Sequence, residues 1–125
     1  PNAMEAEVLA KIEIDSLSSA REAARRIYDF GTGTVVIKGG HIPTADAVDL
    51  VYDGREYLEL SGPRLPSRHT HGTGCTFAAA IAANLALGLP TPDAISGAKH
   101  YVAQAIRHGL PLGRGHGPLG HFWQR

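Results

Sequence analysis

The chain has 125 residues, with twelve Lys and Arg balancing twelve Asp and Glu, so no net charge draws it to nucleic acid or to an anionic membrane. Hydrophobic residues make up 43%, enough for an ordinary core in one domain, and a single cysteine excludes an internal disulfide framework and fits a reducing, cytoplasmic setting. The apolar run from Thr76 to Leu87 is too short and too alanine-rich to span a bilayer, and the acidic opening has no secretory pattern.

The first predicted element is a short helix from Glu5 to Ile12, with Ala6, Leu9 and Ile12 on one side. Asp15 or Ser16 caps a second helix, whose stripe is Leu17, Ala20, Ala24, Ile27 and Tyr28, and Gly31 stops it. Thr34 to Lys38 is a β-branched run ending in Gly39-Gly40, the pattern of a strand covered on both faces in a parallel sheet. The segment AVDLVYDGREYLEL reads as a hairpin turning tightly at Asp53-Gly54. A punctuated loop follows, SGPRLPSRHTHGTG, and then Cys75 to Leu87, apolar almost all round, as a helix buried in a layered core would be. Gly88 ends it. Thr91-Pro92-Asp93 opens a last helix with the stripe Ala94, Ile95, Ala98, Tyr101, Val102, Ala105 and Ile106, which Gly109 stops. The tail from Leu110, with four glycines and two prolines, is loop.

This order predicts an α/β layered fold. One interior strand is too little sheet for four helices, so the chain reads as part of a domain whose other strands lie upstream. Its opening on Pro1-Asn2 rather than methionine points the same way.

Two features carry chemistry. In HGTGC, Gly72 and Gly74 let the backbone approach a ligand, and the helix beginning there presents unpaired amides and the positive end of its dipole to an anion. The same field favours thiolate in a cysteine of the first turn, as Cys75 would be. The alternative reading of the same residues is a tight turn in which Cys75 packs as a small hydrophobe. Lys38, one of three lysines, stands at the end of a buried strand before Gly-Gly, where α/β sheets bind ligands, although a solvated strand-end lysine would look the same. Asn2 and Glu5 taken alone read as a helix cap with a favourable first-turn charge.

The stretches PNAMEAEVL, VVIKGGH, HGTGCTFAAAIAANLALG and GHGPLGH, in that order, resemble the C-terminal half of the hydroxymethylpyrimidine (phosphate) kinases of thiamine biosynthesis, vitamin kinases of the ribokinase superfamily. The resemblance runs from Pro1 through His121. It implies that residues 1–125 are the C-terminal portion of one ribokinase-like three-layer α/β/α domain whose N-terminal half is absent. The implied reaction is ATP-dependent phosphorylation of 4-amino-5-hydroxymethyl-2-methylpyrimidine or its monophosphate. Gly72, Thr73, Gly74 and Cys75 would form the anion hole, with Cys75 as catalytic base where most of the superfamily has aspartate. Lys38 would contact the ATP phosphates, and Asn2 and Glu5 would help hold Mg²⁺ through water. The partners implied are a small-molecule substrate and either a second copy in a dimer or a complementing N-terminal half. The isolated chain would be inactive.

The other histidines point less clearly. His69 and His71 form an H-x-H without a third metal ligand, and His71 would orient the loop or face substrate. His41 would line the nucleotide crevice, His116 and His121 belong to the tail motif, and His100 and His108 lie on a helix surface. Asp49 reads as a solvated strand residue. Three other functions stay open: a pyridoxal kinase of the same superfamily, a cysteine-nucleophile enzyme pairing Cys75 with His71, and an inert fragment that packs on a partner chain.

Overall fold

The computed structural model describes residues 1–44, 46–65 and 72–125. The chain forms two compact units, Pro1–Arg64 and Leu65–Arg125.

In the first unit, helix α1 (Ala3–Ala10) starts two residues earlier than the sequence predicts, because Asn2 caps it. The Asn2 side chain accepts from the Glu5 amide at 2.8 Å, and the Glu5 carboxylate accepts from the Asn2 amide at 2.7 Å. That closes a reciprocal capping box. The helix stops at Lys11, which takes a left-handed backbone with φ of 55°. Its buried stripe is Ala3, Ala6 and Ala10, so the expected Leu9 faces outward with Met4 and Val8, and Ile12 falls beyond the helix end.

Helix α2 (Leu17–Tyr28) is capped by Ser16 and buries Ala20, Ala23, Ala24 and Ile27, close to the predicted stripe. Alanines on both helices allow close approach between them, and their buried faces join one core with Val35, Ile37 and Leu50. On the outer side of α2, Arg25 and Arg26 both bind Glu22, at 3.1 and 2.8 Å. Arg25 first, then Arg26, holds the Glu22 carboxyl down to about 2 from an ordinary 4.5. A depressed carboxyl pKa means that the ionic support of α2 is complete above pH 4.5 and is lost as the pH falls toward 2. An NMR titration of the Glu22 side-chain carboxyl should find its midpoint near 2, and R25A/R26A should return it toward 4.5.

Strand β1 (Val35–Ile37) joins β2 (Ala47–Tyr52) and β3 (Tyr57–Gly62) in the order β1-β2-β3, with both pairings antiparallel. Among the described residues the parallel neighbour predicted for β1 is present only as one isolated bridge, between Asn2 and Lys38. Ile37 pairs with Leu50, and both are fully buried. The hairpin is where the sequence places it, but its turn is longer. Tyr52 pairs with Tyr57, leaving a four-residue loop, residues 53–56, in which only Gly54 has positive φ, at 92°. The Asp53 carboxylate organises that loop by accepting from the amides of Arg55 and Glu56, both at 2.8 Å.

In the second unit, α3 (Thr73–Ala86) and α4 (Thr91–Arg107) form a helical hairpin with Gly88 at φ of 86° between them. Asn84 of α3 donates its side-chain amide to the Ala94 carbonyl at 3.0 Å. Helix α4 buries Ala94, Ile95, Ala98, Val102 and Ala105, as its stripe predicts. Helix α3 departs from expectation: only Phe77 is buried, and Ala78, Ala79, Ala82, Ala83, Leu85 and Leu87 are exposed. A helix that is apolar all round needs neighbours on several sides, and within its unit α3 packs on α4.

The tail is irregular, as predicted, and it is anchored. The Gly120 amide donates to the Ala105 carbonyl at 2.9 Å, the Leu110 amide to the Pro118 carbonyl at 3.0 Å, and Leu119 is buried. Gly120 is required there, since a Cβ would strike the His108 carbonyl. The GHGPLGH motif thus supplies the tail's docking segment on the end of α4.

Candidate functional site

The chemistry-bearing residues fall into one cluster in each unit. In the first, the end of β1 meets the start of α1. The Lys38 amide donates to the Pro1 carbonyl at 2.9 Å, which places Lys38 beside Asn2 and Glu5. The Asn2 amide holds the exposed Glu5 carboxyl below its ordinary range, and the Lys38 charge lowers it further. Glu5 is therefore an anion at neutral pH. The capping reading of Asn2 and Glu5 is correct as far as it goes, since the Asn2 oxygen and Glu5 Oε2 are both engaged in the box.

Beyond Lys38 the chain makes a 3-10 turn, Gly39–His41. Its shape is set by two residues that sequence reasoning did not assign to the site. The Gly39 amide donates to Asp49 Oδ1 at 2.8 Å, so Asp49 is a loop anchor on β2 rather than a solvated strand residue. Arg64 donates to three carbonyls of the same loop: Gly40 at 2.7 Å, Ile42 at 2.5 Å and Thr44 at 3.0 Å. No local signal betrays either contact, because both link residues far apart in sequence. Gly39 must be glycine, because a Cβ would meet the backbone carbonyl of Val48 on β2.

In the second unit, Gly72 is the N-cap of α3, with φ of 84°, and accepts the first helical bond from the Thr76 amide at 2.8 Å. Gly72 has no side chain to offer, so α3 begins without a side-chain cap. Thr73, Gly74 and Cys75 form its first turn, and Cys75 is an exposed free thiol. The thiol is therefore not packed as a small hydrophobe. Cys75 also lines a cavity of about 750 Å³ with Ala79, Ala83, His100, Tyr101 and Trp123. The Trp123 indole N–H is buried with no hydrogen-bond partner among the described residues, its ring stacked on His108 at 6.0 Å. His100 and His108 are exposed on α4 and at its end, as predicted, yet both pack against Trp123.

His69 and His71 lie outside the described residues, as does the side chain of His41. Among the described residues no three His, Cys, Asp or Glu side chains converge as a metal site, and no helix is long and apolar enough to cross a membrane.

Comparison with known proteins adds what geometry alone does not. The family model for phosphomethylpyrimidine kinase matches residues 1–120. The chain belongs to the phosphomethylpyrimidine kinase family. It is 50% identical over 122 residues to the thiamine biosynthesis bifunctional protein ThiED of Geobacter sulfurreducens, covering 98% of this chain and 25% of that one. It is 48% identical over 123 residues to the hydroxymethylpyrimidine/phosphomethylpyrimidine kinase of Streptomyces coelicolor, covering 98% of this chain and 45% of the relative. Among solved structures, Staphylococcus aureus pyridoxal kinase in complex with AMP-PCP and pyridoxal superposes with a TM-score of 0.92 at 37% identity, over 97% of this chain and 46% of that one. The fold is thus part of the ribokinase-like α/β kinase fold, and the chain spans less than half the length of these relatives. Members of the family are named as kinases, that is, phosphotransferases.

Proposed function

We propose that residues 1–125 are the C-terminal, phosphate-handling portion of a single kinase domain. That domain transfers the γ-phosphoryl group of ATP to the hydroxymethyl group of 4-amino-5-hydroxymethyl-2-methylpyrimidine, or to its monophosphate, in the cytoplasm. The observation that carries this reading is the start of α3: glycine in a left-handed cap, no capping side chain, and Thr73, Gly74 and Cys75 in the first turn. Such a terminus stabilises negative charge where a phosphoryl group passes, and catalysis of this transfer is mostly positioning and charge stabilisation.

In this reading Gly72, Thr73, Gly74 and Cys75 form the anion hole. Cys75 accepts the proton of the substrate hydroxyl as that oxygen bonds to the γ-phosphorus and the bond to the departing ADP breaks. Lys38 contacts the ATP phosphates, held in place by the turn that Asp49 and Arg64 brace. Mg²⁺ fits the first cluster: Glu5 is ionised and has one oxygen outside the capping box, which suits an ion that keeps most of its water and takes few protein ligands. Glu5, with Asn2 beside it, would hold the hydrated ion, whose charge would offset that of the phosphates.

The rest of the pyrimidine site belongs to a complementing N-terminal half. Support comes from the share of the relatives that the chain covers and from the exposed apolar face of α3. An inert fragment that packs on a partner would present that same face, and a dimer of this chain would cover it. A second substrate reading, pyridoxal, is favoured by the likeness to Staphylococcus aureus pyridoxal kinase, while the higher identity to the hydroxymethylpyrimidine/phosphomethylpyrimidine kinase favours the pyrimidine.

The test joins the N-terminal half of the Streptomyces coelicolor relative to residues 1–125 and compares hydroxymethylpyrimidine with pyridoxal as phosphate acceptor. Turnover by the joined protein with preference for the pyrimidine, and none by the 125-residue chain alone, is the expected result. Preference for pyridoxal would transfer the assignment to the second reading. Turnover by the isolated chain, its mass confirmed, would refute the need for a second half.

A further inference from the structure

We propose that Arg64 is a positioning residue for nucleotide binding. It touches no reactant, but it selects the one arrangement of the turn in which Lys38 meets the ATP phosphates, so its loss weakens ATP affinity and spares the chemical step. The inference rests on the role proposed above for Lys38 and deepens it.

Lys38 is fixed on its upstream side by β1 and by the bond from its own amide to the Pro1 carbonyl at 2.9 Å. Its downstream side is looser by composition. Gly39 and Gly40 follow at once, and Gly40 is exposed, with no side chain to pack and the widest backbone freedom of any residue type. Asp49 holds the Gly39 amide, and Arg64 holds what comes after it. Its Nη1 donates to the Gly40 carbonyl at 2.7 Å, its Nη2 to Ile42 at 2.5 Å and its Nε to Thr44 at 3.0 Å. One rigid planar fork thus fixes three alternate residues, and the middle one, Ile42, is fully buried, so the turn is tied to the core as well. The compact ammonium of a lysine does not reproduce that fork.

Among the described residues no carboxylate lies within ion-pair distance of Arg64, so its partners are backbone carbonyls and its effect is on backbone shape. The side chain is exposed, and the entropy lost in holding it still offsets much of what its hydrogen bonds return. Without Arg64 the Gly40 turn spreads over several conformations, and apparent ATP affinity falls by the fraction still competent. Once ATP has selected that fraction, Lys38 is in place and turnover proceeds as before. The expected signature is a raised KM for ATP with kcat preserved.

The test is a double-mutant cycle in the joined protein described above, with ATP binding by calorimetry and steady-state kinetics for K38A, R64A and K38A/R64A. R64A should weaken ATP binding about tenfold and raise the KM for ATP to match, with kcat and the acceptor KM within about threefold. In the K38A background R64A should change ATP binding by less than about twofold, because Arg64 acts through Lys38. R64K should fall between R64A and the parent protein, and it takes the place of R64A in the cycle if R64A does not fold. Equal effects of R64A in both backgrounds would overturn the proposal, since Arg64 would then contact the nucleotide or merely support the fold. R64K indistinguishable from the parent would overturn it too, because charge without the fork would suffice. Normal ATP binding by K38A would refute the Lys38 reading and this inference with it, whereas weak binding by K38A beside normal binding by R64A would refute this inference alone.

Discussion

Replacing Cys75 by alanine in the joined kinase should lower turnover by about 10²- to 10⁴-fold, the range typical of a lost general base, with ATP affinity changed by no more than about threefold. The asymmetry follows from position. Cys75 is an exposed thiol in the first turn of α3, whereas the residue assigned to the ATP phosphates, Lys38, stands on a different element in the first unit. Alanine is a good helix former and leaves the Gly72 cap and its bond from the Thr76 amide in place, so α3 itself should persist. The measurement is single-turnover phosphorylation beside ATP binding by calorimetry. Unchanged turnover would leave Cys75 a bystander at the helix start. A trapped covalent adduct of substrate on Cys75 would instead establish the nucleophile chemistry that its pairing with His71 would require.

Gly39→Ala should destabilise the first unit by about 3 kcal/mol or more, lowering the unfolding midpoint by about 10 °C or more. The added methyl would run into the backbone carbonyl of Val48, and a carbonyl in a paired strand cannot turn aside as a flexible side chain could. Gly40→Ala is the internal control: nothing lies within 4 Å of the position its Cβ would take, so it should shift stability by less than about 0.5 kcal/mol. Thermal unfolding followed by circular dichroism distinguishes the two, and equal midpoints would mean that the β1–β2 approach is looser than described. Because Gly39 also donates to Asp49, displacing it moves the turn that follows Lys38, so weaker ATP binding by the joined kinase should accompany loss of stability under the role proposed for Lys38.

The helices were legible because their signals lie within one turn of chain. Ser16 before the alanine stripe of α2, Pro92 at the start of α4 and Gly88 after α3 each act on neighbours three or four residues away. The misjudged ends have equally local causes. Asn2 drew α1 back to Ala3, and Lys11 ended it in a left-handed conformation that sequence patterns favour for glycine. In the candidate site, the glycine-rich start of α3 and the lysine ending β1 were both readable. The braces of the Lys38 turn were not.

The sequence by itself determined the α/β class, the helices and the hairpin, and it carried the motifs that resemble the family. All of these rest on residue type and short spacing. Only the tertiary structure decided that Asp49 and Arg64 hold the loop after Lys38, contacts that span 10 and 24 residues and depend on how β1, β2 and β3 pair. It also decided that Gly39 is a point of backbone contact, and that α3 has apolar surface left over. Composition shows that a helix could be buried on every side, but burial depends on how many neighbours arrive. For α3, and for the edge of β1 away from β2, the described residues supply fewer neighbours than the pattern calls for.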